Sequence, residues 1–238
     1  MQDTSTEPTS ADAILDAARI HVIFDGWSET TFAASLADAN VSPADARALF
    51  PRGAIDLAAA FHFAGDAALA RRLAESDLGA MRYSERVAFA VMERLRIAAP
   101  DREVVRRSAA FFALPIHGAT ASKCMWHTAD TIWTALGDTS TDYNWYSKRL
   151  TLSGVYASSL LYWLGDDSAD FAATSAFVDR RIGDVMSIEK GKAQLRKSPL
   201  YGLFKRGPGR LLDAVRAPGL SQAQDLPGTF NPASKTEA

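Results

Sequence analysis

Apolar residues recur at three- and four-residue spacing almost from end to end of the chain, and nowhere alternate over several residues as a half-buried strand would. The pattern predicts helices. A first stripe, Ile14, Leu15, Ala18 and Val22, follows Asp12, which is placed to cap it, and ends at Asp25-Gly26. A short helix over 30–39 turns Phe32 and Leu36 inward. Asn40-Val41 makes a turn, and Ser42-Pro43 starts another short helix to Phe50, since proline suits the first helical position. After a break at Pro51-Arg52-Gly53, helices are expected over 54–75, 84–98, 101–114 and 119–136, with a kink or break at Pro115 and Gly118. Another begins in GDTSTDYNWYSKRL, residues 137–150, and runs to Leu164; the next runs from Ser168 or Asp170 to about Lys192. With one short amphipathic piece beyond Pro199, the expectation is an all-α domain of about nine to ten helices and no internal repeat.

Composition adds limits. With 238 residues, 47% apolar and 23% charged, the chain reads as a soluble globular protein able to bury a sizeable core. Its one cysteine excludes a disulfide framework and fits a reducing compartment. The polar, acidic start MQDTSTEPTSAD is unlike a secretory or transit signal, and no apolar run approaches the roughly 18 residues of a membrane span. A cytoplasmic protein is expected.

The net charge of −2 conceals an asymmetry. Residues 1–60 hold nine acids and three bases, whereas residues 180–216 hold ten Lys or Arg and three acids. One end repels polyanions and the other is drawn to anionic surfaces.

Residues 28–53 have the layout of a helix-turn-helix, in which a second short helix enters the major groove of DNA. Regulators of the TetR type pair such a head with a large helical ligand-binding body. DNA affinity comes mainly from cations on phosphates, and here Glu29, Asp38 and Asp45 face only Arg47 and Arg52. A degenerate head kept for packing is the stronger expectation, with a ligand-responsive regulator as the alternative.

Catalytic signals are sparse. Cys124 and His127 sit three apart, but zinc needs further ligands that no spacing supplies. There is no glycine-rich phosphate loop, no G-x-S-x-G elbow and no Glu-x-x-His pair. The chain reads as a non-enzyme without cofactor or metal. Between residues 84 and 164 stand Phe89, Phe111, Phe112, Trp126, Trp133, Tyr156 and Trp163, which among many small residues are candidates to line an apolar ligand cavity. Beyond it, Leu200, Leu203, Phe204, Leu211 and Val215 share one helical stripe, with Lys205, Arg206 and Arg210 mostly elsewhere. That is the signature of a segment lying in a membrane interface, although Gly207-Pro208-Gly209 argues against one unbroken helix.

The stretch at 137–150 is the most unusual, since it sets Tyr143, Trp145 and Tyr146 at a capped helix start that should face water, with Lys148 and Arg149 behind them. GDTSTDYNWYSKR, preceded by TADTIW and followed by FVDRRIGDVM, resembles the signature of the ubiquinone-biosynthesis accessory lipid-binding family, the ninth of the Coq proteins; FDGWSETT and LFPRGAIDLAAAFH are similar to its bacterial members. The resemblance runs from about Ile14 to Met186. It implies a TetR-like fold that does not repress transcription, a homodimer, and a pocket for isoprenoid lipid or a ubiquinone precursor. It also implies service to a demethoxyubiquinone hydroxylase and peripheral association with the inner membrane. Carried over by position, Asp142, Trp145, Tyr146 and Arg149 correspond to the surface that engages the hydroxylase. The organisation expected is a disordered 1–11, a head at 12–76, a lipid-binding and dimerisation body at 77–197, an amphipathic membrane-contacting segment at 198–217 and a disordered tail at 218–238.

Overall fold

The computed structural model describes residues 9–196, with side chains through residue 187. Within them the chain forms nine α-helices: α1 Ser10–Asp25, α2 Glu29–Asp38, α3 Pro43–Leu49, α4 Ala54–Ala74, α5 Tyr83–Ala98, α6 Arg102–Phe112, α7 Gly118–Ala135, α8 Tyr143–Trp163 and α9 Ala172–Arg196. Short 3-10 turns precede α6, α7 and α9. No strand occurs among the described residues, and no described helix is long and apolar enough to cross a membrane. The membrane-contact residues proposed between Leu200 and Val215 lie outside the described residues.

Caps set the boundaries. The first helix starts earlier than its apolar stripe suggests, because Thr9 and not Asp12 is the N-cap: Asp12 N–H donates to Thr9 Oγ1 at 3.3 Å while Thr9 N–H donates to Asp12 Oδ2 at 3.1 Å. Asp12 is the third residue of that reciprocal capping box. Ser42 caps α3 with Pro43 at its first position, as expected. Pro115 lies in the 3-10 turn between α6 and α7, so the chain breaks there and does not merely bend. The last helix extends to Arg196, past its expected end near Lys192.

Two apolar clusters organise the packing. The first joins α1, α2, α3 and the start of α4 through Ile14, Val22, Trp27, Phe32, Phe50 and Leu57, with Val104 from α6 closing it. The second joins the end of α4 to α5, α7, α8 and α9 through Leu69, Val91, Leu95, Ile132, Tyr156 and Trp163. Helix α4, about 30 Å long at 1.5 Å per residue, runs through both, and Phe61 packs against each. Arg102 and Arg106 on α6 donate to the carbonyl oxygens of Trp163, Leu164 and Asp166, supplying partners that the end of α8 lacks.

The α2–turn–α3 unit is held inward. Gly53 has φ +63, and a Cβ there would fall 2.3 Å from Glu29 Oε1 and 2.6 Å from Arg47 Nη1. In that space Glu29 accepts from Ala54 N–H at 3.0 Å and from Arg47 Nη2 at 2.5 Å, and Arg47 lies over the Phe32 ring at 5.0 Å. The single cation of α3 is thus folded back onto α2.

Candidate functional site

Helices α1, α4, α5, α6, α7 and α8 surround a cavity of about 470 Å³, within the range of small-molecule sites. Its wall is mostly apolar, with Phe61, Ile97, Phe112, Met125 and Leu160 among the lining side chains. Small residues leave the space: Ala64, Ala68 and Ala98 line it where larger side chains would fill it. A second cavity of about 230 Å³ lies among α5, α7, α8 and α9, with Val87, Trp133, Leu152 and Ile182 in its wall.

At one side of the larger cavity sits a buried polar cluster that sequence reasoning missed. Asp66 is 0% exposed. It accepts from Arg94 Nε at 2.7 Å, from Thr128 Oγ1 at 2.9 Å, and pairs with His127 Nδ1 at 2.7 Å. His62 places Nε2 at 2.8 Å from Thr128 Oγ1 and 3.1 Å from the Cys124 carbonyl oxygen. A carbonyl only accepts, so Nε2 carries the His62 proton. The signal in the sequence is His62 and Asp66 four apart on α4 and Arg94 and His127 on other helices; only packing brings the four together.

Environment sets their charges. Burial would raise the Asp66 carboxyl, but the His127 hydrogen bond and the neighbouring positive groups hold it below the usual range. The hydrogen bond to Asp66 pushes His127 up. Burial pushes His62 down to about 4, with the Arg94 charge acting in the same direction. Burial pushes the Cys124 thiol and the Tyr156 hydroxyl up to about 12, so both stay protonated.

These shifts make a pH prediction. The folded pKa of His62 lies below the unfolded value near 6.5. Unfolded chains therefore take up more protons below that value, and the stability tied to neutral His62 is complete above pH 6.5 and lost as the pH falls towards 4. His127 has the opposite sign: its contribution is complete below pH 6.5 and is lost as the pH rises through its elevated pKa. His62→Gln should flatten the decline in melting temperature between about pH 6.5 and 5, while His127→Gln flattens the decline at higher pH. Parallel melting profiles for wild type and His62→Gln would contradict this.

The aromatic cluster lies on another face, at the start of α8. Asp142 caps the helix, its Oδ1 accepting from Asn144 N–H at 3.0 Å. Trp145 and Tyr146 meet edge to face at 4.8 Å between centroids, and Trp126 from α7 stands 5.7 Å from the one and 6.1 Å from the other. Tyr146 is 38% exposed and Trp145 is half-buried. Arg149 lies beneath the patch, not on it: it is 3% exposed, with its guanidinium 3.9 Å from the Trp145 centroid, Nε 2.5 Å from Asp130 and Nη1 3.1 Å from Asp138. Asp138 also accepts from Lys148 Nζ at 2.7 Å. Although burial opposes it, these cations hold the Asp138 carboxyl at about 2. The rings therefore stand on an ionic base between the α7–α8 connection and α8.

Of the seven rings singled out as cavity-lining, Phe112 and Tyr156 line the larger cavity and Trp133 the smaller. Trp126 belongs to the surface cluster. Trp163 is fully buried against Phe171 and Arg102, Phe89 packs on the second apolar cluster, and Phe111 stacks on His117 at 4.1 Å.

A family model described as COQ9 matches residues 118–189, which span α7, α8, the aromatic cluster and most of α9. Ubiquinone biosynthesis protein COQ9, mitochondrial, of Homo sapiens is 28% identical over 204 residues, covering 83% of this chain and 64% of that protein. Over most of its length the chain is similar to COQ9 proteins. The Xenopus tropicalis COQ9 is 31% identical, covering 74% of this chain and 57% of its own length, and the Rattus norvegicus COQ9 is 34% identical over 46% of this chain and 35% of its own. Matches to these COQ9 proteins thus span between 35% and 64% of their lengths. A TetR transcriptional regulator from Nitrosomonas europaea superposes with a TM-score of 0.58, covering 73% of this chain and 95% of that one at 23% identity. The fold is TetR-like.

Proposed function

We propose that this chain is a non-enzymatic lipid-binding accessory protein of ubiquinone biosynthesis. In this reading it binds an isoprenoid quinone precursor and delivers it to a demethoxyubiquinone hydroxylase at the inner membrane, as a homodimer. The observation that carries the proposal is the largely apolar cavity of about 470 Å³ inside a chain similar to COQ9 proteins. A polyprenyl quinone is costly to expose to water on its way from membrane to enzyme, and a largely apolar cavity flanked by helices offers it cover. The exposed rings at the start of α8, with Tyr146 foremost, are of the residue types that dominate binding hot spots and form the proposed hydroxylase contact. The basic segment beyond residue 197 is the proposed membrane contact, drawn to anionic lipid.

The rival reading, a DNA-binding regulator, draws on the fold alone. Against it stands the engagement of Arg47 with Glu29 and Phe32, which leaves α3 no free cation for a phosphate.

Native mass spectrometry of the purified full chain should reveal a bound lipid, recovered as an isoprenoid on organic extraction. Protein that is lipid-free in every preparation, and that takes up no quinone when one is supplied, would overturn the proposal.

A further inference from the structure

The larger cavity contains a group that a container for hydrocarbon does not need. Arg94 is 5% exposed and lines the cavity beside the buried Tyr156, Ala98 and Val105, whereas the lining residues Ala64, Arg71, Ala113 and Leu161 are exposed. A buried ion pair is often no more stabilising than apolar residues of the same volume, so packing alone does not account for it.

The chain also gives up a side chain to seat this group. Gly65 lies in the interior of α4, where glycine weakens a helix. A Cβ there would stand 2.6 Å from Arg94 Cζ and 2.6 and 2.8 Å from its terminal nitrogens. The guanidinium thus rests against bare α4 backbone, with the Tyr156 ring 5.9 Å away. Of its five N–H donors, Nε–H goes to Asp66 and one Nη2–H to the His62 carbonyl oxygen at 3.0 Å. No other acceptor among the described residues takes a hydrogen bond from it.

Charge decides what could occupy the remaining donors. Asp66 already balances Arg94, and an anion at this floor would face that carboxylate as well. A neutral oxygen gains a charge-assisted hydrogen bond without that repulsion. Phe61, Phe112 and Tyr156 in the wall suit a flat ring.

We infer that Arg94 is a specificity-determining residue, seating the ketone or phenol oxygen of a neutral ring head at the cavity floor while the apolar chain points to the exposed margin. The inference rests on the cavity being the lipid site. It adds an order of events: the head is enclosed while bound, so the hydroxylase receives it on release and not within the cavity.

Two probes test this on the full chain, a decyl-substituted benzoquinone and oxygen-free decylbenzene. Each is delivered from cyclodextrin and the bound amount is read by mass spectrometry. Wild type should prefer the quinone by about tenfold or more, the scale of one hydrogen bond to a charged group. Arg94→Met combined with Asp66→Asn, which removes both charges together, should bind the two probes alike. Gly65→Ala keeps both charges but displaces the guanidinium, and should also reduce the preference; it carries the test if the double variant does not fold. Folded variants that keep the wild-type preference would overturn the role of Arg94 and leave the lipid reading intact. Failure of wild type to bind either probe would overturn both.

Discussion

Asp66→Ala should cost the fold about 3–5 kcal/mol, since it strands Arg94 in the interior as an unpaired charge. The same substitution removes the acceptor for Thr128 and the partner of His127, so three links from α4 to α5 and α7 fail together. For a domain of this size the loss corresponds to a fall in melting temperature of roughly 10 °C. Asp66→Asn removes the charge but keeps an acceptor of the same shape and should lose less, so its own loss reports the charge and the further loss in Asp66→Ala reports the missing acceptor and volume. If Asp66→Ala melts like wild type, Arg94 has found water or another partner, and the cluster is not the buried tie described here.

Tyr146→Ala should leave a stable, lipid-carrying protein that binds the hydroxylase at least tenfold more weakly, because truncating a hot-spot ring costs about 2 kcal/mol or more. The neighbouring Trp145→Ala is expected to behave differently. Trp145 is half-buried and covers the Arg149 guanidinium at 3.9 Å, so its removal also opens the ionic base formed with Asp130 and Asp138. Trp145→Ala should therefore lower the melting temperature as well as partner binding, whereas Tyr146→Ala lowers binding alone. Pull-downs alongside thermal melts separate the two. Normal hydroxylase capture by Tyr146→Ala would assign the cluster to fold stability.

Arg149 illustrates where reading along the chain reaches its limit. In sequence it follows three rings at a helix start and looks like part of one exposed surface. Its position is set by Asp130 on α7 and Asp138 in the connection, which draw it under Trp145. Trp126 moved in the opposite direction, from a candidate cavity wall to the surface cluster, because the packing of α7 on α8 turns it towards Trp145 and Tyr146.

Helical periodicity, caps and breakers were sufficient for the all-α architecture, because spacing, Ser42-Pro43 and Pro115 act within a few residues of chain. The run from Gly137 to Arg149 was likewise enough to suggest the family, since a motif is carried in linear order. The cavity and its floor depended on tertiary structure. His62, Asp66, Arg94 and His127 are unremarkable singly on three helices, and a buried charge gains its partner only when those helices pack. Gly65 reads as a mere weakness in α4 until Arg94 is seen lying against it, because the reason for a missing side chain belongs to whatever fills its place.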